Sequence, residues 1–183
     1  MATARRFGSH KGSAVEKLMQ GPTDTGMAYA GHFDSFLLGS DTTLHDGMLV
    51  DELATELAST IERFCPLPFT FSVLVGGWLN HEGQLYNLDS NCQLVGTKTM
   101  CIGYNSHITN VYLKAALVPS MIVDHGICIA IEALKLASGV GDFGIADIDV
   151  AIVDSMGYRL VPKPELELYL HHLNVTDSLP TFN

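Results

Sequence analysis

The stretch Pro68-Phe-Thr-Phe-Ser-Val-Leu-Val-Gly-Gly-Trp78 decides the fold expected of this chain. Its aromatic and aliphatic side chains alternate with Thr and Ser, with the period of two that is typical of a strand with one buried face. Asn80 to Gly83 has the composition of a hairpin turn with Gly83 at positive φ, and Gln84-Leu-Tyr-Asn-Leu88 can return beside the first strand. An antiparallel sheet is therefore predicted at the centre of the protein.

Helical patterns flank this sheet. Apolar residues at helical spacing predict a helix over 47–64 with Asp46 as its N-cap. The predicted buried face of that helix is Leu49, Leu53, Leu57, Ile61 and Phe64. Three further helices are predicted over 106–117, 121–137 and 165–172.

The chain of 183 residues fits one domain, which we place at 13–172. Residues 1–12 are basic and aperiodic, so a flexible arm is expected there, and 173–183 are expected to form a disordered tail. Further strands are predicted over 26–31 and 146–154.

Composition restricts the possible partners. Hydrophobic residues make up 47% and charged residues 16%, with a mean hydropathy of +0.22, which predicts contact with partner subunits. A net charge of −10 argues against nucleic acid or an anionic membrane as partner. No apolar run approaches the roughly 18 residues of a membrane span, so we expect a cytoplasmic or nuclear protein. The four cysteines are widely spaced and are expected to be free, buried thiols.

Several segments resemble proteasome subunits. The middle of such a subunit is matched by Phe71 to Gly77, Gln84-Leu-Tyr86 with Asp89, and Ile102-Gly103. The α type in particular is matched by Ala14-Val-Glu-Lys17, Gly26-Met-Ala-Tyr-Ala-Gly31 with Asp34, and the run from Ile122 to Leu170. It implies an α+β fold, the αββα four-layer sandwich of N-terminal-nucleophile hydrolases, in which antiparallel sheets are flanked by helices. Here the N-terminal end is shortened or divergent, so some N-terminal strands are expected to be lacking.

A catalytic proteasome subunit needs a threonine exposed at the N-terminus, whose α-amine serves as base. Thr42-Thr43 is the pair to consider, but it follows Asp41 and lies between a short helix predicted over 32–38 and the helix predicted over 47–64. Cleavage there would also remove the predicted strand 26–31. No catalytic residue is therefore assigned, and the chain is predicted not to be an enzyme by itself.

Other motifs are interpreted as structural. Gly139-Val-Gly-Asp-Phe-Gly144 matches a dinucleotide fingerprint, but a helix precedes it and a strand follows, which is the reverse of what phosphate binding needs. His171 and His172 are adjacent on a helix and diverge too far to share a metal ion. The sequence neighbours His32, Asp34 and Ser35 are expected to be surface or contact residues. No cofactor and no metal are predicted.

The resemblance implies a role for Lys17 as well. In α-type subunits a lysine near this segment lines the pocket that receives activator C-termini, and an ammonium group suits a terminal carboxylate. An ordinary solvated lysine is the alternative at this position.

The leading hypothesis is a non-catalytic α-type core subunit with a ring-forming and docking role in ubiquitin- or activator-dependent protein degradation. Its partners would be other α and β subunits and an activator particle. One alternative is a β-type subunit or other threonine hydrolase with an N-terminal nucleophile. The other is a partial isoform that acts outside the particle.

The isolated chain is predicted to hydrolyse no peptide. Added to fluorogenic peptides it should give no turnover above background, and Thr42→Ala and Thr43→Ala should change nothing, since neither threonine is placed to become an N-terminal nucleophile. Threonine-dependent hydrolysis by the isolated chain would overturn this expectation.

Overall fold

The computed structural model describes residues 2–4, 18–22, 24–31, 46–64, 71–138 and 145–177. Within them the strands are β1 (Ala2–Ala4), β2 (Leu18–Gln20), β3 (Thr25–Gly31), β4 (Phe71–Leu79), β5 (Glu82–Asp89), β6 (Leu94–Thr97), β7 (Ile148–Asp154) and β8 (Gly157–Leu160). The helices are α1 (Val50–Phe64), α2 (Ser106–Ala116), α3 (Val123–Ser138) and α4 (Lys163–Asp177). A short 3-10 turn, Ile145–Asp147, precedes β7.

The strands form two antiparallel sheets. The larger has the order β2-β3-β4-β5-β6 and the smaller the order β1-β7-β8. Helix α1 packs on the outer face of the larger sheet, where its buried residues meet those of β4 and β5. Helices α3 and α4 pack on the outer face of the smaller sheet, and a third cluster lies between the sheets. The layers are therefore helix, sheet, sheet, helix, which confirms the predicted sandwich.

The central hairpin forms as predicted, but its turn differs in detail. Asn80 and His81 take the positive φ values of 53° and 66°, and Gly83 does not have positive φ. Two consecutive left-handed residues define a type I′ turn, whose twist matches that of the flanking strands. Strand β4 is also buried on both faces, because the second sheet covers the side expected to be only partly covered.

Helix α1 begins at Val50 rather than at 47. The Leu49 N–H donates to Glu52 Oε2 at 2.9 Å, which is one half of a capping box, so Leu49 and not Asp46 is the N-cap. Leu49 lies before the helix and is 45% exposed, contrary to its predicted burial. Leu53, Leu57 and Ile61 are buried as expected.

Both ends of the domain differ from expectation. Ala2–Ala4, placed by the sequence in a flexible arm, pair with β7 in the register Ala2 to Val150 and Ala4 to Ile148. The remainder of that arm lies outside the described residues. Helix α4 continues to Asp177, into the segment expected to be a disordered tail, because no Pro or Gly interrupts it before that point.

Helix α4 is fixed to the sheet near its start. The Lys163 ammonium group donates to the Ile148 carbonyl oxygen and to Asp149 Oδ1, the latter at 3.0 Å.

Among the described helices, none combines the length and the apolar character that a membrane crossing requires.

Ile131 gives a test of the layered core. It is 0% exposed and packs in the cluster that joins α3 to the smaller sheet. Ile131→Asp is expected to prevent folding or to lower the free energy of unfolding by more than about 4 kcal/mol, because the buried carboxylate would be unpaired. Chemical denaturation measures the change. The matched control is Leu136→Asp on the same helix, where 44% exposure lets water reach the charge; equal losses in both variants would contradict the packing described.

Candidate functional site

Most residues singled out from the sequence lie outside the described residues, so their roles stay predictions. They are Lys17, His32, Asp34, Ser35, Thr42, Thr43 and the segment 139–144. His171 is exposed on α4, and nothing is described of the side chain of His172. Among the described residues, no group of three or more His, Cys, Asp or Glu side chains could hold a metal ion.

Four threonine hydroxyls within the described residues are hydrogen-bonded to the main chain. Each donates to a main-chain carbonyl oxygen: Thr25 to Pro22, Thr55 to Asp51, Thr97 to Thr99 and Thr109 to Asn105. A nucleophilic hydroxyl instead needs a general base as its partner. These four threonines therefore stabilise turns and helices.

The described cysteines are free and half-buried. Asn110 anchors the backbone of Cys101, accepting from its N–H at 2.6 Å and donating to its carbonyl oxygen at 2.8 Å. Burial raises the pKa of the Cys101 thiol, although a hydrogen bond with Thr109 opposes this effect. Burial, together with the charges of Glu132 and Asp124, raises the pKa of the Cys128 thiol. A raised pKa keeps a thiol protonated and unreactive.

Two tyrosine hydroxyls, of Tyr112 and Tyr169, connect helices α2 and α4 to the polar side of α3. These two hydrogen bonds are called the tyrosine clamp below. The Tyr112 hydroxyl of α2 donates to Glu132 Oε2, and the Tyr169 hydroxyl of α4 donates to Asp124 Oδ1 at 2.9 Å. Asp124, Cys128 and Glu132 follow one another at spacings of four and so share one helix face. The clamp therefore joins three helices through one polar stripe on the middle helix.

The clamp changes the acidity of both phenols. Burial, reinforced by the hydrogen bond and the charge of Glu132, raises the pKa of Tyr112. The hydrogen bond to Asp124 is the main cause that raises the pKa of Tyr169 to about 12. In both cases the carboxylate favours the protonated phenol, which can donate, over the phenolate, which would repel it.

A second feature is an exposed apolar belt along α2 and the loop to α3. Its members are large apolar side chains that are between 37% and 71% exposed: Ile108, Val111, Leu117, Val118, Ile122 and Val123. Monomeric proteins rarely expose contiguous apolar surface of this kind, and such surface commonly marks a protein contact. The belt is therefore a candidate assembly surface.

The third feature is a groove of about 1420 Å³. One wall is the inner face of β3, β4 and β5, with Leu74, Gly76 and Leu85. The opposite wall is formed by α2 and α3, where Leu113 and Ala130 face the space. The groove is lined mainly by apolar and small residues, so it is suited to an apolar occupant.

With this geometry in view, comparison with known proteins identifies the class. Residues 39–153 match the family described as proteasome subunit. The chain is 29% identical over 126 residues to the proteasome subunit beta of Methanopyrus kandleri, and the aligned residues cover 67% of this chain and 58% of that protein. It is 30% identical over 130 residues to the proteasome subunit beta of a Methanocaldococcus species, covering 70% and 58% respectively. A third relative, the proteasome subunit beta of Methanothermobacter thermautotrophicus, is 28% identical over 127 residues, covering 67% and 60%.

The chain belongs to the proteasome subunit family. It spans about three fifths of the length of the relatives it matches. The assignment to the non-catalytic α type made from the sequence is wrong, because these relatives are named β subunits. Of the segments that carried the α-type resemblance, Ala14 to Lys17 lies outside the described residues and Gly26 to Gly31 lies in strand β3. The docking role of Lys17 rested on the α-type resemblance and has no other support.

The clamp predicts a stability change at alkaline pH. The folded-state pKa of Tyr169, about 12, lies above the value of about 10 for an unfolded chain. The contribution of the Tyr169–Asp124 hydrogen bond to the free energy of unfolding is present below about pH 10 and is lost as the pH rises through about 12. Thermal unfolding should therefore show a smaller alkaline loss in Tyr169→Phe and in Tyr112→Phe than in the unmodified chain. The control is Tyr104→Phe, which changes a tyrosine outside the clamp; a loss of the same size in all four proteins would show that the clamp does not contribute.

Proposed function

We propose that the chain is a β-type subunit of a proteasome-like particle and acts in protein degradation as part of that assembly. The observation that carries the proposal is the match to relatives named proteasome subunit beta, across about two thirds of this chain. The four-layer sandwich supports it, since the family match extends from before α1 to β7.

The exposed apolar belt supports assembly with other proteasome subunits. Val111 is 71% exposed and Ile122 is 60% exposed. Because water contact with such side chains is unfavourable, contact with a neighbouring subunit would gain free energy by covering them. Only 16% of the residues are charged, which leaves few groups to keep this surface solvated.

We assign proteolysis to the assembled particle and not to the isolated chain. A threonine protease of this kind uses a hydroxyl nucleophile with an amine as base. The four described threonines discussed above direct their hydroxyls to backbone carbonyls, so they offer no such pair. N-terminal sequencing of the mature chain from the particle tests for a processed terminal threonine, which would move the nucleophile to this chain.

Co-expression with α-type proteasome subunits tests the proposal. The chain is expected in a high-mass particle by native mass spectrometry, and the double variant Val111→Asp, Ile122→Asp should reduce its incorporation by about tenfold or more, because two carboxylates would be buried at the contact. The matched control is Met156→Asp, an equally polar change at an 88% exposed residue of the β7–β8 turn. A well-folded chain that stays monomeric beside assembled partner subunits would refute the β-type assignment.

A further inference from the structure

The distribution of polar and apolar residues on α2 is the reverse of that usual for a surface helix. The residue of α2 that is fully buried is Thr109, which is 0% exposed. Val111 is 71% exposed and Ile108 is 49% exposed, and Ala115 is exposed as well. A helix that faces water normally turns its polar residues outward. The outer face of α2 therefore has the composition of a face that packs against a further layer.

The exposed apolar residues of α2 form one stripe. Ile108, Val111 and Ala115 are spaced by three and four, so they lie along one face of the helix. Val118, seven positions after Val111, continues the line past the end of α2 and is 58% exposed. Alternating spacings of three and four are the pattern by which one helix packs lengthwise against another. These four residues, called the α2 stripe, thus fit a partner helix of about three turns.

The sequence around the α2 stripe lacks acidic residues, which are abundant elsewhere in the chain. The chain holds 20 Asp and Glu residues, yet none lies between Asp89 and Asp124. On α3, Asp124 and Glu132 already accept hydrogen bonds from the tyrosine clamp. A partner with acidic residues would therefore meet no carboxylate of residues 90–123, and like-charge repulsion from this stretch is absent.

Two basic side chains border the α2 stripe along one edge. His107 and Lys114 are seven positions apart and both neighbour Val111, on the side of the helix away from Tyr112. Both are exposed, and within the part of the chain that the structure describes neither is held in an ion pair. The edge can therefore receive carboxylates from outside.

We propose that the outer face of α2 binds an amphipathic helix with an acidic edge, supplied by a partner polypeptide of a different sequence. The apolar side of that helix packs on the α2 stripe. Its Asp or Glu residues lie beside Lys114 and His107, because a carboxylate attracts an ammonium group and accepts from a ring N–H. The inference rests on the proposed assembly function and adds to it the chemistry of the partner.

A second copy of this chain fits the α2 stripe less well. A two-fold contact would place the same patch of both copies together, so Lys114 would meet basic residues and no carboxylate. The outer face of α1 is acidic, with Asp51 and Glu62 exposed, but no large apolar side chain is exposed over 50–63. On α4, Leu168 is the single large apolar residue that is exposed among those with described side chains. Neither helix offers an apolar stripe with an acidic edge.

Two synthetic helical peptides are the direct probe. Each has about 14 residues with Leu at alternating spacings of three and four, and one carries Glu along one edge where the other carries Lys. Fluorescence anisotropy with the full chain should show that the Glu peptide binds about tenfold more tightly or better, because Lys beside Lys114 is repelled. Raising the salt concentration should narrow the difference. Equal affinities of the two peptides at low salt would overturn the proposal.

A charge reversal completes the test. Lys114→Glu should invert the preference between the two peptides, whereas the matched change Lys98→Glu, at an exposed lysine after β6, should leave it as it was. Val111→Asp should weaken binding of the Glu peptide by about tenfold or more, since it places a charge in the α2 stripe. If circular dichroism shows that Lys114→Glu does not fold, Lys114→Gln replaces it and should reduce the preference.

Three outcomes separate this proposal from its alternatives. An unchanged preference in a folded Lys114 variant would refute it. So would a dimer of the free chain, seen by light scattering, that Val111→Asp dissociates, since a second copy would then be the partner. Incorporation into a particle without any peptide preference would remove only the acidic helix, whereas peptide binding by a chain that does not enter a particle would remove only the β-type assignment.

Discussion

The contact between the two sheets at Gly26 fixes the position of every other layer. A side chain at this residue would collide with Tyr158, so the absence of a Cβ allows β3 to approach β8 and β7 closely. Ala28 and Ala151, both small and buried, belong to the cluster that continues this contact. Where the sheets meet face to face, helices can pack only on their outer faces. Helix α1 covers one outer face, and α3 with α4 covers the other.

The sequence predicted the parts of this fold that depend on local periodicity. The alternation around Val73 and the helical spacing of Leu53, Leu57 and Ile61 correspond to observed buried faces. The start of α1 was predicted less well, because the sequence offers two candidate N-cap residues there. Asp46 resembles an N-cap, yet the Glu52 carboxylate reaches back to Leu49 and sets the start of α1.

Features that depend on distant pairing could not be predicted in this way. Strand β1 has only three residues, and it pairs with residues 148–150 of β7, near the other end of the sequence. The tyrosine clamp joins residues 20 and 45 positions apart, so the polar side of α3 could be noticed but not its partners. The type of subunit was not predicted correctly either: the patterns in the sequence led to the α type, whereas the relatives matched over 126 and 130 residues are named β subunits.

The exposed apolar surface of the chain lies in two adjoining places, the belt and the groove. The belt around Val111 and Ile122 consists of exposed side chains, so another folded surface can cover it by burial alone. The groove lies between the inner face of the larger sheet and helices α2 and α3. Leu117 belongs to both, so the two regions meet just after α2. A low charged fraction and a continuous apolar region of this kind are typical of a chain that assembles with other subunits.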